Sequence, residues 1–364
     1  MKNELPEDWK ILRQWLPDKA ALAIMARQHG FLTRVKGVRD MDVWLRLILM
    51  HGGGGLSLEQ TVMRAAELRL AKLSPISLHN RLLKAGAWLE AITKHLLENR
   101  PARPVPLDNA LLERLLAIDA TDVSAPASTG TDWRVHYSLK LSDLSCAHLE
   151  LTDKHGGETL KRFAFGPGQI ALADRGYCKR AQVAHVLEAG ARIVVRYCPK
   201  NFPLLDENGQ RFEVLAWLRK LPGQRAGESN VWFEHAGRKW ALRLCAVRMS
   251  RTAAQKALNK VRRKARQHNN QVQPQTEEMS GYIMVLTNLE AKEHGAAEVL
   301  KLYRYRWQVE LVFKRFKTLL SLGELPKHNE QSARTWVQAK IITALLVERA
   351  MMKARFFPPW GYEL

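Results

Sequence analysis

The stretch LLAIDATDV, residues 115–123, places the acid Asp119 directly after four apolar residues. A short apolar run predicts a buried strand, and a carboxylate at its end is costly unless it is paired, hydrogen-bonded or holding a cation. Asp174 repeats this arrangement, because it follows the apolar residues 170–173 in QIALADRGY. Function is the economical explanation for two buried strands that each end on an acid.

Further strands around this stretch predict a mixed α/β unit. Apolar or alternating residues indicate strands in WRVHYSLKL, SCAHLELTD, ARIVVRYC and GYIMVLTNL, and KRAQVAHVLEAG predicts a helix. Residues 199–248 are rich in tryptophan and favour hairpins, with a turn at Ala236-Gly237, so we expect a β-rich insertion. The helix expected over residues 250–268 carries seven lysines or arginines and no acid, a charge tolerated only in solvent or on phosphate.

The first hundred residues predict helices that end at a linker. RPARPVPLDN, residues 100–109, contains three prolines and places a domain boundary near residue 105. The glycine-rich HGGGGLSLEQ, residues 51–60, lacks the Lys-Ser/Thr of a phosphate-binding loop, so we interpret it as a flexible turn.

Two short helices in this N-terminal part resemble a helix-turn-helix. Ser57 and Gln60 predict a capping box for the first, and Ser74-Pro75 begins a second that we expect to reach Gly86. A reader of the DNA major groove would place side chains near the start of the second helix against the bases, here Asn80 and Arg81. A small helical bundle without that role would show the same pattern, so both interpretations stay open.

The composition indicates a polyanionic partner. The chain has 364 residues, with 57 Lys and Arg against 36 Asp and Glu and a sequence pI near 10.0. This charge favours phosphate backbones because binding releases counterions, so nucleic acid is the first candidate. No apolar run reaches the roughly 18 residues of a spanning helix, and the first residues lack a signal peptide's apolar core. Four separated cysteines predict neither a zinc site nor disulfides.

The stretch YRYRWQVELVFKRFK, residues 303–317, sets one acid, Glu310, among cations and aromatics. It has no Gly or Pro, and three- and four-residue steps predict a helix whose buried stripe is Leu302, Val309, Phe313, Phe316 and Leu320. At about 100° per residue, a second face shows Tyr303, Arg306, Glu310 and Lys317. An ion pair of Arg306 with Glu310 on a solvated face is one interpretation, and a functional site is the other.

Metal chemistry would explain the acids if the fold brings Asp119, Asp174 and Glu310 together. Three carboxylates at one point repel each other unless divalent cations lie between them, and oxygen ligands suit Mg²⁺ or Mn²⁺. Two such ions about 3.5–4 Å apart activate an attacking water or 3′-hydroxyl and stabilise the leaving oxygen of a phosphoryl transfer. The cations beside Glu310 would then bind the phosphates.

The order Tyr303, Arg306, Glu310, Lys317 resembles the tyrosine-arginine-glutamate-lysine signature of bacterial insertion-sequence transposases of the DDE superfamily, the IS-four-type group. IDAT, GTDWRVHYSL, ELTDKHGGE, ADRGY and VLTNL are also similar to that group, in its usual order. The resemblance implies an α/β fold: a ribonuclease H-like catalytic core with a β-rich insertion and an N-terminal helical DNA-binding domain. It also implies cut-and-paste transposition at the inverted-repeat ends of double-stranded DNA, with a two-ion Mg²⁺ site in which Mn²⁺ can substitute.

The resemblance also implies two sets of site residues. The catalytic and metal-binding triad would be Asp119, Asp174 and Glu310. The residues that hold phosphates near the cleaved end would be Tyr303, Arg306, Trp307 and Lys317. Asp122 is the alternative first acid, although it lies past the apolar run. In this family a tryptophan of the insertion stacks on a flipped base, which makes candidates, with core packing as the alternative, of Trp217, Trp232 and Trp240.

Pattern and resemblance together predict four segments. They are an N-terminal helical DNA-binding domain at 1–105, the first part of the catalytic core at 106–198, a β-rich insertion with the basic helix at 199–280, and the rest of the core at 281–364, with the signature helix and a short C-terminal helix. The resemblance implies a homodimer in the synaptic complex, no membrane partner and a bacterial cytoplasmic, nucleoid-associated location. The chain stops soon after Lys317, so a truncated inhibitor that only binds DNA is the alternative, and a structure-selective nuclease is a third.

Overall fold

The apolar and alternating runs form strands in the computed structural model, which describes residues 7–32, 37–99, 110–124, 128, 132–267, 269–322, 325 and 329–354. The strands are β1 Leu115–Val123, β2 Trp133–Lys140, β3 Ser145–Asp153, β4 Ile170–Ala173, β5 Arg192–Arg196, β6 Gly227–His235, β7 Arg238–Arg248 and β8 Tyr282–Thr287. The predicted strands are thereby confirmed, and the DRGY segment after β4 makes a 3₁₀ turn, Arg175–Tyr177.

The helices before the sheet are α1 Glu7–Arg13, α2 Lys19–Gln28, α3 Met41–Ile48, α4 Leu58–Glu67, α5 Pro75–Leu82 and α6 Gly86–Glu98. Helix α7, Ala110–Arg114, leads directly into β1. The helices between and after the strands are α8 Arg180–Glu188, α9 Val214–Arg219, α10 Arg251–Gln267, α11 Pro274–Met279, α12 Ala296–Arg304, α13 Trp307–Leu319 and α14 Glu330–Ala354. In the part of the chain that the structure describes, none of these is both long and apolar enough to span a lipid bilayer.

The predicted starts of α4 and α5 are confirmed, whereas the predicted end of α5 is wrong. Ser57 and Gln60 form the reciprocal capping box of α4, and the Ser74 hydroxyl caps α5. Helix α5 ends at Leu82, because the amides of Lys84 and Ala85 donate to carbonyls three residues back and form a tighter turn. Gly86 begins α6 instead of ending α5.

One mixed sheet contains all eight strands in the order β3-β2-β1-β4-β5-β8-β7-β6. Strand β4 lies parallel to β1 and β5, and the other neighbouring pairs are antiparallel. The expected hairpin β6–β7 turns at Ala236-Gly237, where both residues have positive φ, as a tight hairpin turn requires. This hairpin extends the main sheet beside β8, so the β-rich segment shares its sheet with the core.

Alternation along the strands divides the core into two faces. Leu115, Ala117 and Leu172 pack in a cluster with α12, α13, α14 and the N-terminal helices, which we call the α13 face. Ile118 and Ala173 pack in a second cluster with residues of α8, which we call the α8 face. Successive strand residues point to opposite faces, so the residues that follow these two strand positions point to the α13 face.

Helix α14 joins the N-terminal helices to the sheet. This helix, expected to be short, has 25 residues and packs against α6, β3 and the π-helical turn Leu49–Gly53. A Cβ atom on Gly52 would lie 2.5 Å from the Ala339 Cβ atom, so the glycines allow a close approach of the two segments. The interpretation of the glycine-rich stretch as a flexible turn is therefore wrong. The predicted linker at 100–109 lies outside the described residues.

Candidate active site at the end of the parallel strands

Asp119 and Asp174 lie side by side where the parallel pairing of β1 and β4 ends. Ile118 pairs with Ala173, and the two acids are the next residues on these neighbouring strands, whose spacing is about 4.8 Å. The prediction that Asp119 ends its strand is wrong, because β1 continues to Val123 through its longer pairing with β2. The acid therefore sits mid-strand, beside the point where β4 stops.

Helix α13 lies over these strands and carries Glu310. Its residues Phe313 and Phe316 meet the ring of Tyr137 edge-on, with centroids 5.9 and 5.8 Å away. Tyr137 on β2 is the partner of Asp119 across the β1–β2 pairing. In the expected apolar stripe, four residues are buried and the last, Leu320, is half-buried. This packing places the first turn of α13 beside Asp119.

The predicted single helix over 303–317 is interrupted at Tyr305 and Arg306, between α12 and α13. The amides of Arg306, Gln308 and Val309 each donate to a carbonyl three residues back. This 3₁₀ spacing brings side chains three residues apart into line, unlike the α-helical spacing assumed from the sequence. It places the Arg306 guanidinium 5.7 Å from the centre of the Tyr303 ring.

The signature side chains contact the two strand acids directly. Arg306 donates from Nη1 to Asp119 Oδ2 at 3.4 Å and from Nη2 to Glu310 Oε1 at 2.5 Å. The Tyr303 hydroxyl donates to Asp174 Oδ1 at 3.0 Å. The fold therefore brings together three acids from two strands and a helix. Arg306 does form an ion pair with Glu310, as the simpler interpretation predicted, but the same guanidinium also reaches Asp119.

Burial dominates the electrostatics of this cluster. It raises the pKa of Asp119 to about 6, although the Ala120 amide and Arg306 favour the charged form, and Asp174 and Glu158 add to the rise. Burial likewise raises the pKa of the Tyr303 phenol. Burial alone would lower the pKa of Arg306, but Tyr303, Glu310 and Asp174 raise it, so the guanidinium stays charged.

The acids offer the donor set of a divalent cation. Their donors are carboxylate oxygens, which Mg²⁺ and Mn²⁺ prefer. Among the described residues, no three His, Cys, Asp or Glu side chains are spaced to hold an ion together as they stand. The Arg306 guanidinium lies between Asp119 and Glu310 and satisfies them with its own charge. The residue types fit a cation site, provided that this guanidinium moves away.

The remaining residues of the signature face solvent beside the acids. Trp307 is 39% exposed next to Arg306, and Lys317 is exposed on α13. Lys317 comes seven positions after Glu310, about two helical turns, so both lie on one helix face. Asp122, the alternative first acid, lies an odd number of residues from Asp119 and so points to the α8 face, where it pairs with Arg134 at 2.8 Å. This geometry favours Asp119 over Asp122.

One acid near the cluster was not singled out from the sequence. A Cβ atom on Gly176 would lie 2.9 Å from Glu158 Oε2, which places the Glu158 carboxylate against the turn that follows Asp174. Glu158 is the last residue of ELTDKHGGE, a stretch that is similar to the family but to whose last residue the sequence assigns no role. Its neighbours come from a distant turn, and the sequence spacing contains no signal for that contact.

The N-terminal candidates lie on α5, away from the acids. Asn80 is exposed, whereas Arg81 is half-buried and donates to the Phe31 carbonyl at 2.9 Å. The Arg81 guanidinium also faces the rings of Phe31 and Trp44, at 5.8 and 5.6 Å. Arg81 therefore contributes to the packing of the helices, and its predicted part in DNA reading is untested.

Two of the insertion tryptophans, Trp232 and Trp240, lie away from the acids. Trp232 and Trp240 line a groove with Arg192, which begins β5, whereas Asp174 follows the end of the parallel strand β4. The groove and the acids thus lie at opposite edges of the sheet. Trp240 is buried under the Arg238 guanidinium, 3.7 Å from the ring centre, and Trp217 is half-buried against Phe212. These contacts favour the packing alternative for Trp217 and Trp240.

Comparison with known proteins supplies independent findings. A family model described as "Transposase DDE domain" matches residues 111–346. The putative transposase InsL for insertion sequence element IS186A of Escherichia coli (strain K12) is 32% identical over 363 residues, 98% of this chain and 97% of that protein. The transposase for insertion sequence element IS421 of Escherichia coli is 32% identical over 364 residues, with the same coverage.

A more distant relative also matches. The transposase for insertion sequence element IS231F of Bacillus thuringiensis subsp. israelensis is 22% identical over 321 residues, 78% of this chain and 67% of that protein. The matches to the two Escherichia coli proteins cover nearly all of this chain and nearly all of each relative.

Proposed function

This chain belongs to the family of insertion-sequence transposases with a transposase DDE domain, and we propose that Asp119, Asp174 and Glu310 are its catalytic triad. It is a DNA transposase, an enzyme that cleaves and joins DNA. We infer a cut-and-paste route at the inverted-repeat ends of its element. The observation that carries the assignment is the convergence of the three acids on Tyr303 and Arg306.

The family implies dependence on a divalent metal ion. We propose that the triad carboxylates hold two Mg²⁺ ions, with Mn²⁺ as a substitute, because the donors are all oxygen. Such ions, when bound, would activate the attacking oxygen and stabilise the leaving oxygen of the phosphoryl transfer. The chain itself positions two of the carboxylates: Asp119 lies within the sheet, and Tyr303 orients Asp174 by a hydrogen bond.

We propose that Arg306 exchanges partners when DNA binds. In this structure the Arg306 guanidinium pairs with Asp119 and Glu310. A DNA phosphate at the site would be an alternative partner that the guanidinium can bind through two hydrogen bonds. Movement toward the phosphate would free both carboxylates for cations. Lys317 and Trp307 are exposed on the adjoining surface and would contact the DNA near the cleaved end.

The sheet and the helices packed on it suggest a more specific fold for the catalytic part of the chain. We propose that β1 to β5, with α8 and α13, form a ribonuclease H-like core, because the strand acids lie where the parallel strands β1 and β4 meet. The boundaries at 105, 198 and 280 stay predictions, as does DNA reading by α5 through Asn80. The close packing of α14 on the N-terminal helices favours a helical unit built from both ends of the chain.

Assembly and location follow from the proposed reaction. Bringing two transposon ends together requires two active sites, so we propose a homodimer in the synaptic complex, acting on chromosomal DNA at the bacterial nucleoid. The alternative of a truncated inhibitor was based on the apparent shortness of the chain after Lys317. The active enzyme is the proposal, because the family model and the relatives are described as transposases, and strand cleavage distinguishes it from the inhibitor.

An in vitro excision assay tests this function. The purified chain would be incubated with Mg²⁺ and a plasmid that carries the element's own inverted repeats around a marker. We expect a freed linear element, dependent on both repeats and on the metal ion. DNA binding without any strand cleavage, under conditions in which the protein is folded, would support the inhibitor instead.

A further inference from the structure

The loop after β3 approaches the triad from the α8 face. Strand β2 is antiparallel to both β1 and β3, so β3 runs in the direction of β1 and its final residue, Asp153, lies at the edge that carries the acids. The loop then returns toward α8, where buried Gln182 donates to the Glu158 carbonyl at 3.4 Å and accepts from the Leu160 amide at 3.3 Å. Gln182 thus anchors the segment that carries Glu158.

The Glu158 carboxylate is half-buried and lacks a partner. Within the described residues, no hydrogen bond or ion pair engages it, because nearby Arg134 is taken by Asp122 and by the Gly156 carbonyl. Its pKa is raised, first by burial and also by Asp122 and Asp174. A carboxylate in this setting is costly unless a cation or a donor reaches it.

A buried phenol provides a second, independent observation. Tyr177 is fully buried, and among the described residues its hydroxyl has no hydrogen-bond partner. Tyr177 directly follows Gly176 in the turn Arg175–Tyr177, and this turn contacts the Glu158 carboxylate. Burial raises the pKa of this phenol, and the charges of Glu158, Asp119 and Asp174 raise it further. Buried hydroxyls in proteins nearly always have a partner, which here can be supplied by a bound ligand or its water.

Gly176 keeps this space open. It lies between Asp174 and Tyr177, and any side chain there would meet the Glu158 carboxylate at its present position. Its φ is outside the left-handed region, so the lack of a Cβ, rather than the backbone conformation, is what the site requires of this residue.

We propose that Glu158 is a fourth carboxylate of the divalent-cation site, with the Tyr177 hydroxyl as a hydrogen-bond donor beside it. This inference rests on the proposed function, because it assigns further residues to the same site. Glu158 would add negative charge and oxygen donors at the turn that follows Asp174. Residues that support metal ligands in this way typically change metal affinity by about 10–100-fold when they are replaced.

Titration with Mn²⁺ in the absence of DNA, followed by electron paramagnetic resonance of the free ion, tests this proposal without an activity assay. Wild type and Arg306→Gln would both be titrated, since the guanidinium competes with the ion. We expect Glu158→Gln to raise the Kd about tenfold or more. Glu188→Gln removes the same charge from an exposed position at the far end of α8 and should leave the Kd unchanged.

Gly176→Ala tests position rather than charge. Its methyl group would displace the flexible end of Glu158, so we expect weaker Mn²⁺ binding at unchanged melting temperature. In a Glu158→Ala background the same change should have no further effect on the Kd. This pair keeps the proposal testable even if Glu158→Gln folds poorly.

The outcomes separate the two proposals. If Asp119→Asn weakens Mn²⁺ binding while Glu158→Gln binds like wild type, Glu158 is not part of the site and the triad assignment stands. If neither wild type nor Arg306→Gln binds Mn²⁺ at millimolar concentration, the metal site itself is wrong and the role of Glu158 fails with it.

Discussion

At the scale of single residues, burial of the charged Asp119 carboxylate lowers the stability of the folded protein. Its carboxylate is 20% exposed, and burial outweighs the contact with Arg306, which at 3.4 Å is long for a charged hydrogen bond. A metal-free protein therefore carries a charge that the fold disfavours. If Asp119 holds a cation as proposed, cation binding would relieve this cost and stabilise the folded protein.

Asp119→Asn should stabilise the metal-free protein at pH 8. The folded pKa of about 6 lies above the ordinary 3.8, so the folded state binds the proton more tightly and stability falls as pH rises through this range. Two pKa units correspond to up to about 3 kcal/mol, less the lost contact with Arg306. Chemical denaturation of both proteins from pH 4 to 8 measures the difference. A difference that does not change with pH would contradict the burial of this charge.

Arg306→Gln should separate metal binding from catalysis. Without the guanidinium, Asp119 and Glu310 are free to bind cations, so we expect Mn²⁺ to bind more tightly in the absence of DNA. Strand cleavage should fall by about 100-fold, because a positive charge on the phosphate is lost. Arg304→Gln, an exposed neighbour, is the control. Unchanged cleavage would show that Arg306 serves only the folded structure.

At the scale of elements, the sequence predicted the strands and helices because apolar periodicity is local. The apolar residues 115–118 lie in β1 as predicted, and Val309, Phe313 and Phe316 of the expected stripe are buried. The position of Asp119 within its strand could not be predicted, because it depends on where β2 and β4 pair with β1. The interruption between α12 and α13 at Tyr305 depends on hydrogen bonds to carbonyls three residues back, and no Gly or Pro in the stretch predicts it. Glu158 depends on contacts with a distant turn.

Helix α10 exposes a row of basic side chains to solvent. None of its residues is buried, and in the described residues Arg262 alone among its cations forms an ion pair, with Glu277. Lys256, Lys260 and Lys264 follow one another at four-residue steps, so they form one exposed stripe. We expect this stripe to contact the DNA backbone.

The triple replacement of Lys256, Lys260 and Lys264 by Gln tests this contact. Each lost phosphate contact should lower the slope of log K against log salt by about 0.9, or up to about 2.7 for three. Replacing exposed Lys94, Lys220 and Lys292 by Gln removes the same charge elsewhere. Equal losses in both triple variants would mean that only net charge matters and that α10 has no special role.

At the scale of the whole molecule, α14 connects the two ends of the chain. Its apolar residues share one cluster with the N-terminal helices and with β1 and β2. The N-terminal helices would therefore lose part of their core without α14. We expect the described parts of the chain to unfold together rather than as two independent units.

Gly52→Ala tests this connection. The new methyl group would overlap Ala339 on α14, and overpacking of this kind costs about 1–3 kcal/mol. Ala339→Gly should recover part of that loss in the double variant, apart from the cost of a glycine within a helix. Gly157→Ala, which meets no atom within 4 Å, is the control. Calorimetric melting measures all four proteins, and an unchanged melting temperature for Gly52→Ala would contradict the close packing of α14.

The measurement that tests the central claim most directly is Mg²⁺-dependent strand cleavage by Glu310→Gln, beside Asp119→Asn and Asp174→Asn, on DNA that carries a transposon end. If the three acids hold the cations, each variant should fail to cleave while it still binds the end DNA and melts cooperatively. If Glu310 were only the partner of Arg306, its replacement would cost about 0.3–0.5 kcal/mol of stability and leave cleavage intact. Wild-type cleavage by a folded Glu310→Gln protein would contradict the triad.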